Sequence, residues 1–304
     1  MRIVATAMRG HQGARSVERG AVWAFMPVLA VLPFALLALL VIWLPFGWLF
    51  GVRFWWVLAG FAVAGLALFI RPIQVLVLTP LLRARRPTSE ESEVITPLWA
   101  QIAQANDLPA GRYVVRVLPT DELNAFACGG HLVLVTSFAV NELSEAQLQG
   151  VLAHELSHHL GLHTVAITIG HWLSAPVVLL ARIGFFLENV GHAAAGSFGK
   201  QSPAIAAVGS AAAFIMHALS WVFTAGLRGS DSLSNLVGHS SEFEADRRAV
   251  RMGFGRELAS ALRELLAHGT GRRPVGWRAR LAASHPPART RVARIEAFMR
   301  HSAL

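Results

Sequence analysis

No charged residue occurs from Gly20 to Val52, a stretch that includes Val28, Leu36, Leu37, Leu39, Leu40, Val41 and Ile42. A bilayer core is crossed by about 20 such residues in a helix, so this block predicts a membrane span. A second apolar block runs from Phe54 to Ile70, is interrupted by Arg71, and resumes through Ile73, Val75, Leu76, Val77 and Leu78. Arg71 can extend its charge to an interface while its stem stays in lipid. A third block lies between Thr164 and Ala181, and a fourth between Gln201 and Leu227, the latter rich in the Ala and Gly that let helices approach closely in lipid. Four spans are predicted. The first block is too long for the apolar core of a cleaved leader, and a second span follows it almost at once.

The polar stretches follow other periods. Ser144 precedes an amphipathic run and Gln147 stands three positions later, the pattern of a capped helix start, so a helix is predicted from about Glu145. Before it, His131-Leu132-Val133-Leu134-Val135-Thr136 reads as a strand. Pro87 to Glu93 reads as a polar linker into the first soluble part. The expected division is a basic tail at 1–20, a membrane hairpin at 21–82, a first soluble half at 83–160, a second membrane hairpin at 161–227 and a second soluble half at 228–304.

Composition agrees with lipid. Charged residues make up 15% of the 304 and hydrophobic ones 54%, where a soluble domain carries about 25% charged. The net charge of +9 says more about orientation than about a nucleic-acid partner, which is not expected. Arg2, Arg9, Arg15 and Arg19 abut the first span, and Arg83, Arg85 and Arg86 follow the second, while the linker between them has only Arg53. Positive residues stay inside, so both flanking segments are expected on the cytoplasmic face, and the second hairpin returns the chain to it. A lone cysteine, Cys128, permits no internal disulfide and fits a reducing face.

The predicted helix carries the chemistry. His154 and His158 are four apart, which stacks both imidazoles on one face where they can share a tetrahedral zinc ion. Glu155 is turned about 100° from His154, placed to hold a water without becoming a ligand. Such a site needs a third ligand and one open position. Ser241-Glu242-Phe243-Glu244-Ala245-Asp246 offers it, and Glu242 and Asp246 share a helix face from which Glu244 is turned about 200° away.

His154-Glu155-x-x-His158 followed by Glu242-x-x-x-Asp246 resembles the gluzincin pattern of the HtpX family of membrane metalloproteases and of the related CAAX-prenyl endopeptidases. Glu242 lies 84 positions after His158, and a membrane hairpin inserted between the two ligand helices resembles that family as well. Asn124-Ala125-Phe126-Ala127 with the following strand resembles its Asn-Ala-Phe segment, and Ser284-His285-Pro286-Pro287 with Arg291 resembles its His-Pro-Pro-x-x-x-Arg segment.

The resemblance implies an α+β, zincin-like (gluzincin) domain built from two chain segments and tethered by four transmembrane helices. It implies one Zn2+ held by His154, His158 and Glu242, with Glu155 and His285 catalytic. Asp246 and Arg291 would brace the ligands, and Asn124, Ala125, Phe126 and Ala127 would bind an extended substrate. The expected activity is endoproteolysis of misfolded or membrane proteins at the cytoplasmic face of a bacterial cell membrane. A processor of prenylated proteins, a membrane sensor and a zinc scaffold without turnover are the alternatives. The first is expected to carry more spans, the second a sizeable extracellular domain, and the third has no need of Glu155. His159 and His163 are expected to be interfacial or structural.

Overall fold

The structure is a computed structural model that describes residues 24–109, 111–161, 163–198, 203–267 and 286–302. The expected basic tail therefore lies outside the described residues.

Helix α1 (Met26–Phe50) is long and apolar enough to cross a membrane, as the first block predicts. The second apolar block is not a straight span. It forms α2 (Phe54–Ala67) and α3 (Arg71–Leu81), bent by 87° at the break between them. Fourteen helical residues reach about 21 Å, short of a hydrocarbon core of about 30 Å, so the pair is a broken span or a re-entrant loop. Trp48, Phe50, Trp55 and Trp56 crowd the α1–α2 turn with their rings exposed, as aromatic side chains do at a membrane–water boundary.

Thr88 and Glu91 form a capping box at the start of α4 (Ser89–Ala105). Strands β1 (Val114–Leu118), β2 (Ala125–Cys128) and β3 (Leu132–Thr136) follow, then the short α5 (Ser137–Glu142). The sheet order is β1-β3-β2, with β1 parallel and β2 antiparallel to β3. Alternation divides the sheet's side chains between two layers. Ala125, Val133 and Val135 pack with Leu148, Leu152 and Leu156 of the following helix and with Ile95, Trp99 and Ile102 of α4. Phe126, Cys128, Leu132 and Leu134 pack with Leu78 and Leu82, so the membrane-derived α3 supports the opposite face. Arg85 pairs with Val117 and covers part of the β1 edge. Among the described residues, β2 has a backbone partner on its β3 side only.

Helix α6 (Glu145–Leu160) begins where expected: Ser144 Oγ accepts from the Gln147 amide at 3.3 Å, and Gln147 Oε1 accepts from the Ser144 amide at 3.0 Å. Helix α7 (His163–Phe198) follows after Gly161 and runs well past the predicted end of the third block. Helix α8 (Pro203–Arg251) is unbroken from the fourth apolar block through Glu242 and Asp246, so the helix does not end at 227. Ala35 and Ala38 of α1, Val177 and Ala181 of α7 and Phe223 of α8 form the buried seam of these three helices. Helices α9 (Gly255–Ala267) and α10 (Ala288–Ser302) close the molecule, packing Leu258, Leu262 and Ile295 on Ala249 of α8.

Candidate metal centre

Two helices from distant parts of the chain meet at the site. Helix α6 contributes His154, Glu155 and His158, all buried, because Leu148, Leu152 and Leu156 draw that helix against the sheet and α4. Helix α8 contributes Glu242 and Asp246, one turn apart and equally buried. Arg248, also on α8, donates to the Ser157 carbonyl at 3.1 Å and so joins α8 to the last turn of α6.

The Nε2 atoms of His154 and His158 lie 3.2 Å apart. Glu242 Oε1 is 3.2 Å from His158 Nε2, and Glu242 Oε2 is 3.4 Å from His154 Nε2. Four ligands held tetrahedrally by zinc at its usual bond lengths sit about 3.3 Å from one another. One ligand atom from each of the three lies within 4.8 Å of the others, close enough to share one metal ion, and they form a metal-competent group among the described residues.

Charge points the same way. Glu155, Glu242 and Asp246 are buried together with one guanidinium, that of Arg291. With neutral imidazoles, three carboxylates against one cation leave two negative charges uncompensated, and buried charge is costly unless paired. A divalent cation fits that deficit. Without a metal ion part of that deficit is met by His154, which holds a proton. Burial and the Arg291 charge push its pKa down, but hydrogen bonds and charge from Asp246 and Glu242 outweigh them and raise it to about 9.

Asp246 lies behind His154. Its Oδ1 lies 3.0 Å from His154 Nδ1, which leaves Nε2 turned toward Glu242. Arg291, in the first turn of α10, donates to Asp246 through Nε at 3.0 Å and Nη2 at 2.7 Å. Its Nη1 stands 3.3 Å from Glu242 Oε2. A planar guanidinium that reaches both carboxylates fixes their separation. Glu244 points away, pairing with Arg247 at 3.2 Å and lying 3.9 Å from Arg248.

The remaining expected residues divide. Asn124 accepts from the Thr136 amide at 3.0 Å and donates its own N–H to Thr136 Oγ1 at 3.2 Å, so it faces β3. By ladder alternation the backbone N–H and C=O groups of Ala125 and Ala127 then face the outer edge. His285 lies outside the described residues. Cys128 faces the α3 layer, and burial pushes its thiol up to about 11, as expected of an inert packing residue. His159 is structural: its Nε2 lies 3.0 Å from the Leu132 carbonyl, and burial lowers its pKa to about 4. The sequence reading passed over Gln74, which is fully buried against the β2–β3 turn. Its signal was a lone amide within an apolar run.

A metal-competent triad carried on α6 and α8, with a small sheet beside it and long apolar helices leading away, suits a membrane-associated protein of the metallopeptidase class. The chain belongs to peptidase family M48, whose family model matches residues 89–299. It is similar to Protease HtpX homolog 2 of Methanosarcina mazei, at 29% identity over 183 residues covering 59% of this chain and 56% of that protein. It is also similar to Protease HtpX homolog 1 of Streptomyces coelicolor, at 30% identity over 186 residues covering 60% of this chain and 56% of that one. The chain thus spans just over half the length of these relatives. The crystal structure of S. mikatae Ste24p shares the fold, with a TM-score of 0.52 at 18% identity over 84% of this chain and 61% of that chain.

Proposed function

We propose that this chain is a zinc-dependent endopeptidase of the HtpX kind, cleaving misfolded or membrane proteins at the cytoplasmic face of a bacterial membrane as a form of quality control. The observation that carries this reading is the buried His154–His158–Glu242 triad, close enough to share a metal ion and set beside two further buried carboxylates, Glu155 and Asp246. In this reading 83–160 and 228–304 make up one zincin-like domain, joined by the α7–α8 hairpin.

When bound, zinc supplies an acidified water and a Lewis acid toward the substrate carbonyl. Glu155 does the proton work. Its carboxylate takes a proton from the attacking water as the new C–O bond forms, then gives it to the amine nitrogen as the C–N bond breaks. Asp246 holds His154 through Nδ1, so the imidazole keeps one tautomer and one orientation. Arg291 keeps Asp246 and Glu242 in place and offsets their charge. His285 is assigned as a donor to the carbonyl oxygen. The substrate backbone would pair with the outward-facing groups of Ala125 and Ala127, which recognises extended chains with little regard to side chain.

The test is zinc analysis together with casein cleavage in detergent, on the wild type and Glu155→Gln. Both proteins should hold one zinc per chain, and hydrolysis should fall by several orders of magnitude in the variant. Near-normal turnover by Glu155→Gln would remove the mechanism.

A further inference from the structure

We propose that Gln74 is a positioning residue for the substrate strand, clamping the β2–β3 turn to the bent membrane helix pair and so setting where the open edge of β2 lies beside the ligand triad. This rests on the reading of β2 as the strand that binds substrate.

Gln74 is fully buried in α3, in an otherwise apolar stretch, where an amide is retained only if its hydrogen bonds are made. They are made to two different parts of the molecule. Nε2 donates to the Leu68 carbonyl at the end of α2, at 2.9 Å. Oε1 accepts from the amides of Gly130 and His131, at 3.2 and 2.9 Å. One side chain therefore holds the bend between α2 and α3 and seats the β2–β3 turn on it. Gly129 makes the seat possible. Its φ of +64° suits glycine, and a Cβ there would come within 1.9 Å of the Gln74 amide nitrogen.

The neighbouring contacts of Leu78 and Leu82 with the sheet are apolar and carry no direction. Hydrogen bonds do. Leu132, next in the chain, is held from the opposite side by His159 of the ligand-bearing helix. The start of β3 is thus fixed between α6 and α3, and β2, paired to β3 from Ala125 to Cys128, takes its place from that fixture. Removing the Gln74 acceptor frees the turn on the membrane side only, leaving the triad and its Asp246–Arg291 brace untouched.

The experiment measures zinc content and casein kinetics for the full chain in proteoliposomes. Gln74→Leu should raise KM about tenfold, the effect of two backbone donors losing their acceptor, with kcat within about threefold and zinc at one per chain. Gln74→Glu, neutral in this buried position, keeps an acceptor for Gly130 and His131 and a hydroxyl donor for the Leu68 carbonyl, and should recover most of the KM. An unchanged KM in Gln74→Leu overturns the proposal, as does a fall in kcat with loss of zinc that Gln74→Glu does not repair. Should Gln74→Leu not fold, amide exchange in the wild type decides instead: slow exchange at Gly130 and His131 supports the clamp, and loop-like exchange overturns it. Ala127→Pro, which removes an outward N–H of β2, separates the levels. If Ala127→Pro binds casein normally, the substrate-strand reading falls and this proposal with it. If it weakens binding while Gln74→Leu does not, the clamp alone falls.

Discussion

Glu242 and Glu244 are two positions apart on α8 and have opposite surroundings. Glu242 is buried between both imidazoles and Arg291, whereas Glu244 is part-exposed among Arg247, Arg248 and Arg251. Glu242→Gln should lower zinc occupancy and abolish casein cleavage, because an amide is a poorer ligand and leaves Arg291 without part of its counter-charge. Glu244→Gln removes surface pairs worth about 0.2–0.5 kcal/mol and should leave both readouts nearly intact. The opposite ranking would mean the helix register is wrong and would remove the roles given to Asp246 and Arg291. This much was legible from spacing, since a four-residue interval puts Glu242 and Asp246 on one face. That Asp246 would serve His154 and Arg291 at once was not, because Arg291 lies on a helix whose docking depends on Ala249, Leu258 and Ile295 meeting.

At the scale of elements, the ligand helix was the most legible part and the bent pair the least. Helix α6 announces its first turn through Ser144 and Gln147, which satisfy each other's backbone amides in the structure as the spacing requires. A continuous apolar run carries no such mark, and length alone suggested one span where α2 and α3 meet at 87°. The signal present was Pro72, which suits the first turn of a helix: α3 starts at Arg71 with Ile70 extended as its N-cap. Helix α6 also depends on Gly150, where it meets the start of α9. A Cβ at Gly150 would lie 2.3 Å from the Leu258 backbone nitrogen, and backbone yields less readily than a side chain. Gly150→Ala should therefore destabilise the protein by about 1–3 kcal/mol. A lower thermal midpoint, read with zinc bound, checks it, and an unchanged midpoint would mean α9 does not hold α6 closely.

For the whole molecule, α7 and α8 leave the site and return to it as one hairpin, so α6 and α10 share a side of the bilayer whichever way α2 and α3 lie. If α2 and α3 complete one span, the positive-inside bias would put that side in the cytoplasm and the segment around 182–198 on the other. In intact cells an impermeant thiol reagent should label Ala193→Cys and fail to label Ser302→Cys. The reverse pattern would move the chemistry outside. Chain order gave the hairpin, through two apolar blocks between His158 and Glu242, but not the continuity of α8. No residue near 227 distinguishes a helix that stops at the membrane surface from one that continues.

That continuity makes α8 a rod of about 70 Å that passes from the fourth apolar block to Glu242 without a joint, whereas α6 and α7 are separate helices either side of Gly161. A bilayer thinner or thicker than the apolar length of a helix is met by tilt. A tilt of about 5° about the middle of the apolar block would carry Glu242, roughly 42 Å away, by about 4 Å. That is as large as the spacing between the ligands themselves. Acyl-chain length should then act as a tuning parameter: reconstituted into a series of phosphatidylcholines of increasing length, the protein should show a maximum in zinc affinity and turnover at one thickness. A flat response across the series would mean that packing with α1 and α7 holds α8 upright against the lipid.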